Sequence, residues 1–208
     1  PEGSNFHQKI RYTAYPCEER NGIVFAYMGE GDPPPFPDFD CFTAPESYTF
    51  AFKGFLECNW LQVLEVGIDP VHASFLHRFF EDEKPSEGYG RQFRDDTDGA
   101  NIPVTQVLRD FPRPTIDVED TNYGLRILSL REIDEARTHI RITNLLFPQA
   151  IVIPMSNSMI ITQWHVPVDD EHSYWYAIFT DFNQIVDKAT MRDQRLELYE
   201  LPDYMPRL

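Results

Sequence analysis

Apolar and polar residues alternate with a period of two through most of the second half of the chain. Thr115–Val118, Tyr123–Arg131, Thr138–Leu146, Ala150–Ile153, Met159–Val166 and Tyr174–Asp181 read as short strands. Turn residues separate them at Glu132–Ala136, Pro148, Pro154 and Val168–Glu171. Short runs at such intervals, with few helix signals between them, predict an antiparallel meander. An earlier strand is predicted over Ser47–Gly54. Near the start, Gln8–Tyr15 and Ile23–Met28 flank Asn21-Gly22, a strong hairpin signal. The period turns helical at Leu56, Trp60, Leu61, Leu64 and Ile68, and the charged stretch Asp187–Tyr199 is a further helical segment. Gly31–Asp38 carries Pro33, Pro34, Pro35 and Pro37 and suits neither helix nor central strand. The polar stretch Phe79–Asn101 predicts a long loop. The class is α+β, a curved antiparallel sheet packed against a few helices. The proline linker divides residues 1–40 from residues 41–208.

Composition narrows what such a chain can do. Its 208 residues are 42% hydrophobic and 14% aromatic, enough for a sizeable core and too many for a disordered tail. A net charge of −16, with no Lys/Arg cluster able to track phosphates, excludes nucleic acid as the expected partner. Cys17, Cys41 and Cys58 form no C-x-x-C, so neither a disulfide framework nor a thiolate zinc site is expected. That usage fits a reducing, cytoplasmic setting. No apolar run approaches the roughly 20 residues of a membrane span, and no signal peptide opens the chain. The first residue is Pro1 rather than Met, so the start reads as a cut.

Most of the chemistry-bearing residues sit in one stretch, Glu57–His77, where Asp69, His72 and His77 form D-x-x-H-x-x-x-x-H amid apolar neighbours. On an ideal helix Asp69 and His72 lie roughly 60° apart, but His72 and His77 about 140°. Two imidazoles on one ion would therefore need a widened, π-type turn. No Glu follows His72, which sets the pattern apart from H-E-x-x-H zinc proteases. Asp69 before Pro70 also reads as a helix N-cap with Pro at the first helical position, Gly67 breaking what precedes it. A third ligand would decide the metal. A carboxylate such as Asp181, Asp187, Asp193 or Asp203 would complete the triad of non-haem Fe(II) oxygenases. His139, His165 or His172 would complete a three-histidine zinc hydrolase. Without a metal, the sheet and helices would be a ligand-binding domain. No phosphate loop, dinucleotide fingerprint or nucleophile elbow is present.

Asn59-Trp60-Leu-Gln, then Glu65, then Asp69-x-x-His72-x-x-x-x-His77, resembles the catalytic domain of Rieske non-haem iron aromatic-ring oxygenases, nearest their phthalate dioxygenase-like branch. Residues 10–29 and Pro33–Phe39 resemble the strands and proline linker that leave the Rieske domain of that family. The resemblance implies His72 and His77 as ligands of a mononuclear Fe(II). It makes Asp69 the carboxylate that hydrogen-bonds His72 and couples it to the [2Fe–2S] cluster of a neighbouring subunit. Glu65, Val66 and Ala73 fall where the pocket lining begins. It further implies O₂ and an aromatic substrate at the iron, with electrons from NAD(P)H through a reductase or ferredoxin, and a homotrimer or hexamer. An aromatic carboxylate is the branch-level expectation, and it would call for a cation: Arg109, Arg126, Arg131, Arg137 or Arg141. The family's Cys-x-His…Cys-x-x-His cluster pattern is absent, and so is its late Gln-Asp-x-Ala-x-x-Glu segment. The cluster is accordingly expected outside this stretch of sequence, and no residue here is assigned as third ligand.

Overall fold

The computed structural model describes residues 3–76, 102 and 104–199. In chain order the elements are α1 (Phe6–Lys9), β1 (Cys17–Arg20), β2 (Ile23–Ala26), α2 (Asp40–Thr43), a 3₁₀ turn at Glu46–Tyr48, β3 (Thr49–Leu56), α3 (Trp60–Ile68), α4 (Ala73–Leu76), α5 (Val104–Asp110), β4 (Thr115–Thr121), β5 (Gly124–Asp134), β6 (Arg137–Leu146), β7 (Ala150–Pro154), β8 (Met159–Pro167), β9 (Ser173–Asp181) and α6 (Lys188–Tyr199). Strands β4 to β9 form the expected meander in one seven-stranded antiparallel sheet, and β3 joins its far edge beside β9. The α+β class stands. The predicted loop Phe79–Asn101 lies outside the described residues.

The first strand of the hairpin lies downstream of the predicted Gln8–Tyr15. Gln8–Tyr15 is not a strand: α1 covers Phe6–Lys9, and the hairpin partner of Ile23–Ala26 is Cys17–Arg20. The turn decides this. Asn21 (φ 46°) and Gly22 (φ 90°) both take positive φ, as a two-residue hairpin loop requires, so Arg20 must face Ile23. Register set by the turn outranks the better apolar alternation a few residues upstream.

The period-two pattern gives the sheet two different faces. On the outer face Phe42 stacks on Trp164 at 5.6 Å, and Phe25 meets both rings edge-on at 5.3 and 6.2 Å. Such contacts contribute about 0.5–1.5 kcal/mol each beyond the area they bury. The Asn21 amide donates to the carbonyls of Cys41 (2.6 Å) and Ala44 (3.1 Å), tying the hairpin to α2. Burial pushes the fully buried Cys41 thiol up to about 12, so it is inert at neutral pH.

The inner face carries the core and the site. Phe50, Met159, Ile161, Ala177 and Phe179 pack there with Val186 and with Met191 of α6. Further along the same face, α3 crosses β6 to β8. Gly67 makes the crossing close: a Cβ at that position would lie 2.3 Å from Ile151 Cδ1 and 3.8 Å from His165 Nε2. His165 is only 2% exposed, and neither ring nitrogen has a hydrogen-bond partner among the described residues. Burial of the charged form drives its pKa down to about 4.

Two measurements follow. Gly67→Ala should destabilise the chain by about 1–3 kcal/mol in urea unfolding, the usual cost of overpacking. Adding Ile151→Val, which removes the clashing methyl, should recover part of that loss; strictly additive costs would mean the crossing is not the constraint. The second concerns pH. His165 binds its proton with a pKa near 6.5 when unfolded and about 4 when folded, so between those values the unfolded chain holds more protons. The His165 contribution is thus fully present above pH 6.5 and falls by roughly 3 kcal/mol as pH drops to 4. The exposed carboxylates Asp134, Asp169 and Asp187 have lowered pKa values and titrate below this window. His139, lowered to about 4 by burial and by Arg131 and Arg141, adds a similar slope in the same window. His165→Asn should therefore reduce the slope of stability against pH between 4.5 and 6.5 by about half; an unchanged slope would exclude His165 as a source.

Candidate metal centre

The site is built on the connection between α3 and α4. Asn59 starts α3: its Oδ1 accepts the amide of Leu61 at 2.9 Å, as an N-cap does. Its amide donates to the Asp170 carbonyl at 2.9 Å, and Ser173 Oγ donates to the Cys58 carbonyl at 3.0 Å. The helix start is therefore pinned to the β8–β9 turn. At the other end Asp69 leaves the helix in an extended conformation (φ −68°, ψ 116°). The proline that follows allows little else, because its ring crowds the preceding residue out of the helical region.

Asp69 then starts the next turn. Its Oδ1 accepts the amide of Val71 at 2.8 Å and its Oδ2 the amide of His72 at 3.1 Å. His72 in turn provides the carbonyl that receives the amides of Phe75 and Leu76 at the head of α4. The His72 ring is also oriented here. Its Nδ1 lies 2.6 Å from the Asp69 backbone carbonyl and 3.8 Å from the Asp69 carboxylate. A carbonyl oxygen only accepts, so Nδ1 carries the hydrogen, and a neutral ring in this orientation keeps its lone pair on Nε2. That tautomer presents Nε2 to a cation, the arrangement in which a backbone carbonyl behind an imidazole fixes its orientation and raises its basicity. In this structure the Asp69 carboxylate caps the turn, and its main-chain oxygen holds the ring.

His77 lies outside the described residues, and with it the test of a π-type turn between the two histidines. Of the expected pocket residues, Glu65 and Val66 are exposed, Val66 at 56%, whereas Ala73 is buried. Asp181 and Asp187 accept backbone amides of the turns that follow them, Asp181 from Asn183 and Gln184, Asp187 from Ala189 and Thr190. Asp203 lies outside the described residues. Among the described residues no three His, Cys, Asp or Glu side chains converge to hold an ion. His172 stacks on Phe55 at a surface turn, with Nδ1 2.8 Å from Asp169. His139 and His165 sit about eight residues apart along the strands, roughly 25 Å at a strand's rise. Among the described residues none of these three histidines joins His72 in a group of three donors.

Three further side chains lie together on the inner face of β5 and β6, and the first is bonded to this turn; the spacing of the sequence did not single them out. Arg131 is 1% exposed on the inner face of β5. It donates to the carbonyls of Phe111 (Nε, 2.9 Å) and Pro70 (Nη2, 3.1 Å) and to the hydroxyls of Ser74 (Nη2, 3.1 Å) and Ser129 (Nη1, 3.3 Å). Beside it, Arg141 pairs across the strands with Ser129, and His139 with Arg131. Burial and the neighbouring Arg131 charge bring Arg141 down to about 10, so it remains charged at neutral pH. Burial, then the two guanidiniums, bring His139 down to about 4, leaving it neutral, with its Nδ1 unpartnered among the described residues. The other arginines named from the sequence are at least partly exposed and have acidic neighbours: Arg109 with Asp110, Arg126 with Glu119, Arg137 with Asp134. Strand parity was the available signal, since Arg131 follows the buried Ile127 and Ser129 at steps of two.

A protein-family profile described as "LigXa C-terminal domain like" matches residues 26–197. The chain is 34% identical over 188 residues to the phthalate 4,5-dioxygenase oxygenase subunit of Pseudomonas putida, a match covering 85% of this chain and 39% of that subunit. It is 33% identical over 201 residues to the tert-butanol monooxygenase / tert-amyl alcohol desaturase oxygenase subunit of Aquincola tertiaricarbonis, covering 90% of this chain and 40% of that one. The chain thus spans about two fifths of the length of these curated relatives. Its fold is shared with dicamba monooxygenase bound to dicamba, with a TM-score of 0.54 at 15% identity over 91% of this chain and 56% of that one. The profile spans the Asp69–His72 turn and the whole sheet behind it, and on that ground the chain belongs to the LigXa C-terminal-like family, within the catalytic domains of Rieske aromatic-ring oxygenase alpha subunits.

Proposed function

We propose that this chain is the mononuclear-iron catalytic part of an oxygenase that uses O₂ to hydroxylate an aromatic carboxylate. The observation that carries the iron reading is the Asp69–His72 turn, where the Asp69 carbonyl sets the His72 tautomer. Neutral imidazole with its lone pair on Nε2 suits Fe(II). His72, with His77 from the adjoining sequence, would hold the ion; the third ligand is left unassigned. A bound ferrous ion supplies the electron transfer that O₂ needs to react with a closed-shell ring. Electrons would come from NAD(P)H through a reductase or ferredoxin and a Rieske [2Fe–2S] cluster, with Asp69 at the relay to a neighbouring subunit in a homotrimer or hexamer. Membership of the family supports this scheme.

The family does not by itself choose the substrate, since its named relatives act on phthalate and on tert-butanol. The inner-face cations favour a carboxylate. Arg131 is surrounded by acceptors, but Arg141 has no carboxylate partner among the described residues, and the neutral His139 beside it offers an unused ring nitrogen. A guanidinium facing inward, short of an anion, is matched by a ligand that brings one. The carboxylate would anchor at Arg141 and leave the ring to lie toward His72, which fixes which carbon meets the oxidant.

Metal analysis of the anaerobically purified longer protein should give one mononuclear iron per chain besides a two-iron cluster. His72→Ala should lose the mononuclear iron alone, and full retention would falsify the ligand assignment. Arg141→Leu should raise KM for an aromatic carboxylate by about 10–100-fold, the equivalent of the 1.5–3 kcal/mol of a charged hydrogen bond. An uncharged aromatic of the same shape should lose little. Equal losses on both substrates would remove Arg141 from the binding role.

A further inference from the structure

We propose that Arg131 is a positioning residue for the metal-side turn, acting through Pro70 and Ser74 to hold His72 at a fixed place over the sheet. The proposal rests on the reading of His72 as a metal ligand. A guanidinium that is 1% exposed and, among the described residues, donates to uncharged acceptors is an unusual thing to bury, because removing a cation from water is costly without an anion beside it. Its four acceptors belong to three separate pieces of chain: Ser129 on its own strand, Phe111 just past α5, and Pro70 and Ser74 on either side of His72. Pro70 and Ser74 share one nitrogen, Nη2. The planar fork therefore grips the turn before and after the histidine while its opposite edge is fixed to α5 and the sheet.

The turn needs this support. Between Ile68 and Ala73 the chain has left one helix and not yet entered the next. Asp69 is exposed at its side chain, and its caps on Val71 and His72 hold the turn only to itself. Arg131 supplies a link from turn to sheet. Its hydrogen bonds go to Pro70 and Ser74 and none to the His72 ring, so its effect passes through placement of the turn.

Two serines on the same guanidinium make the test. Ser74→Ala removes the acceptor on the turn, and Ser129→Ala removes the one on the sheet; each leaves the cation in place. In the longer protein, Ser74→Ala should weaken Fe(II) binding by about tenfold, the lower end of what loss of a supporting shell contact does to metal sites. It should also speed hydrogen exchange at the Val71 and His72 amides by about tenfold in the metal-free protein. Ser129→Ala should leave both within about twofold. Arg131→Lys should behave as Ser74→Ala, because a single ammonium cannot reach acceptors on three segments. Equal effects of the two serine variants, or faster exchange in neither, would overturn the proposal. If His72→Ala leaves iron affinity unchanged while Ser74→Ala alone speeds exchange, the metal reading fails and the clamp on the turn survives.

Discussion

A residue that precedes proline cannot stay comfortably in a helix, and the geometry of this site follows from that restriction. Asp69 is forced extended, which ends α3 and swings its carbonyl and carboxylate away from the helix axis. The carboxylate then finds the next amides, and the carbonyl finds the His72 ring. One steric clash thereby sets helix end, helix start and imidazole tautomer together. A helix running through from Trp60 would have committed the Asp69 carbonyl to an amide four residues on and left the ring without its acceptor.

The electrostatics of the molecule run in opposite directions outside and inside. The chain carries a net charge of −16, yet the inner face beneath α4 gathers Arg131, Arg141 and a neutral His139. The outer charge is screened over about 8 Å at physiological salt, whereas a guanidinium out of water acts at nearly full strength on a group that reaches it. An anionic ligand would thus gain little from long-range attraction and most of its binding from contact. That favours selection by shape and bonding over capture by the surface field.

Much of the fold was legible because strand periodicity is a local property. The six runs from Thr115 to Asp181 appear where alternation puts them, and the Asn21-Gly22 turn forms as its residue types require. The first strand of the hairpin was not legible, because pairing register follows the turn and not the more apolar segment. At the site, the residues Asp69 and His72 were readable from spacing, but their bonding was not. A sequence shows that Asp69 has a carboxylate and a carbonyl; only the backbone angles say that the carbonyl meets the ring. Arg131 was hidden for a different reason. It stands as one of five arginines named on charge alone, and its burial becomes visible only when the parity of β5 is anchored to Ile127 and Ser129. Gly67 likewise read as a helix breaker, whereas its lack of a side chain is what lets α3 sit down on Ile151.

The place of β3 beside β9 bears on how the molecule comes together. Thr49 faces Thr180, and Asn59 reaches Asp170, so early segments are held by partners made more than a hundred residues later. Closing loops of that length must precede the contacts that reward it, which places this topology among slow, high-contact-order folders. During synthesis the β4–β8 hairpins can zip as they emerge, while the segment bearing Asp69 and His72 waits for its support. The metal-side turn would be among the last parts of the chain to acquire its native shape.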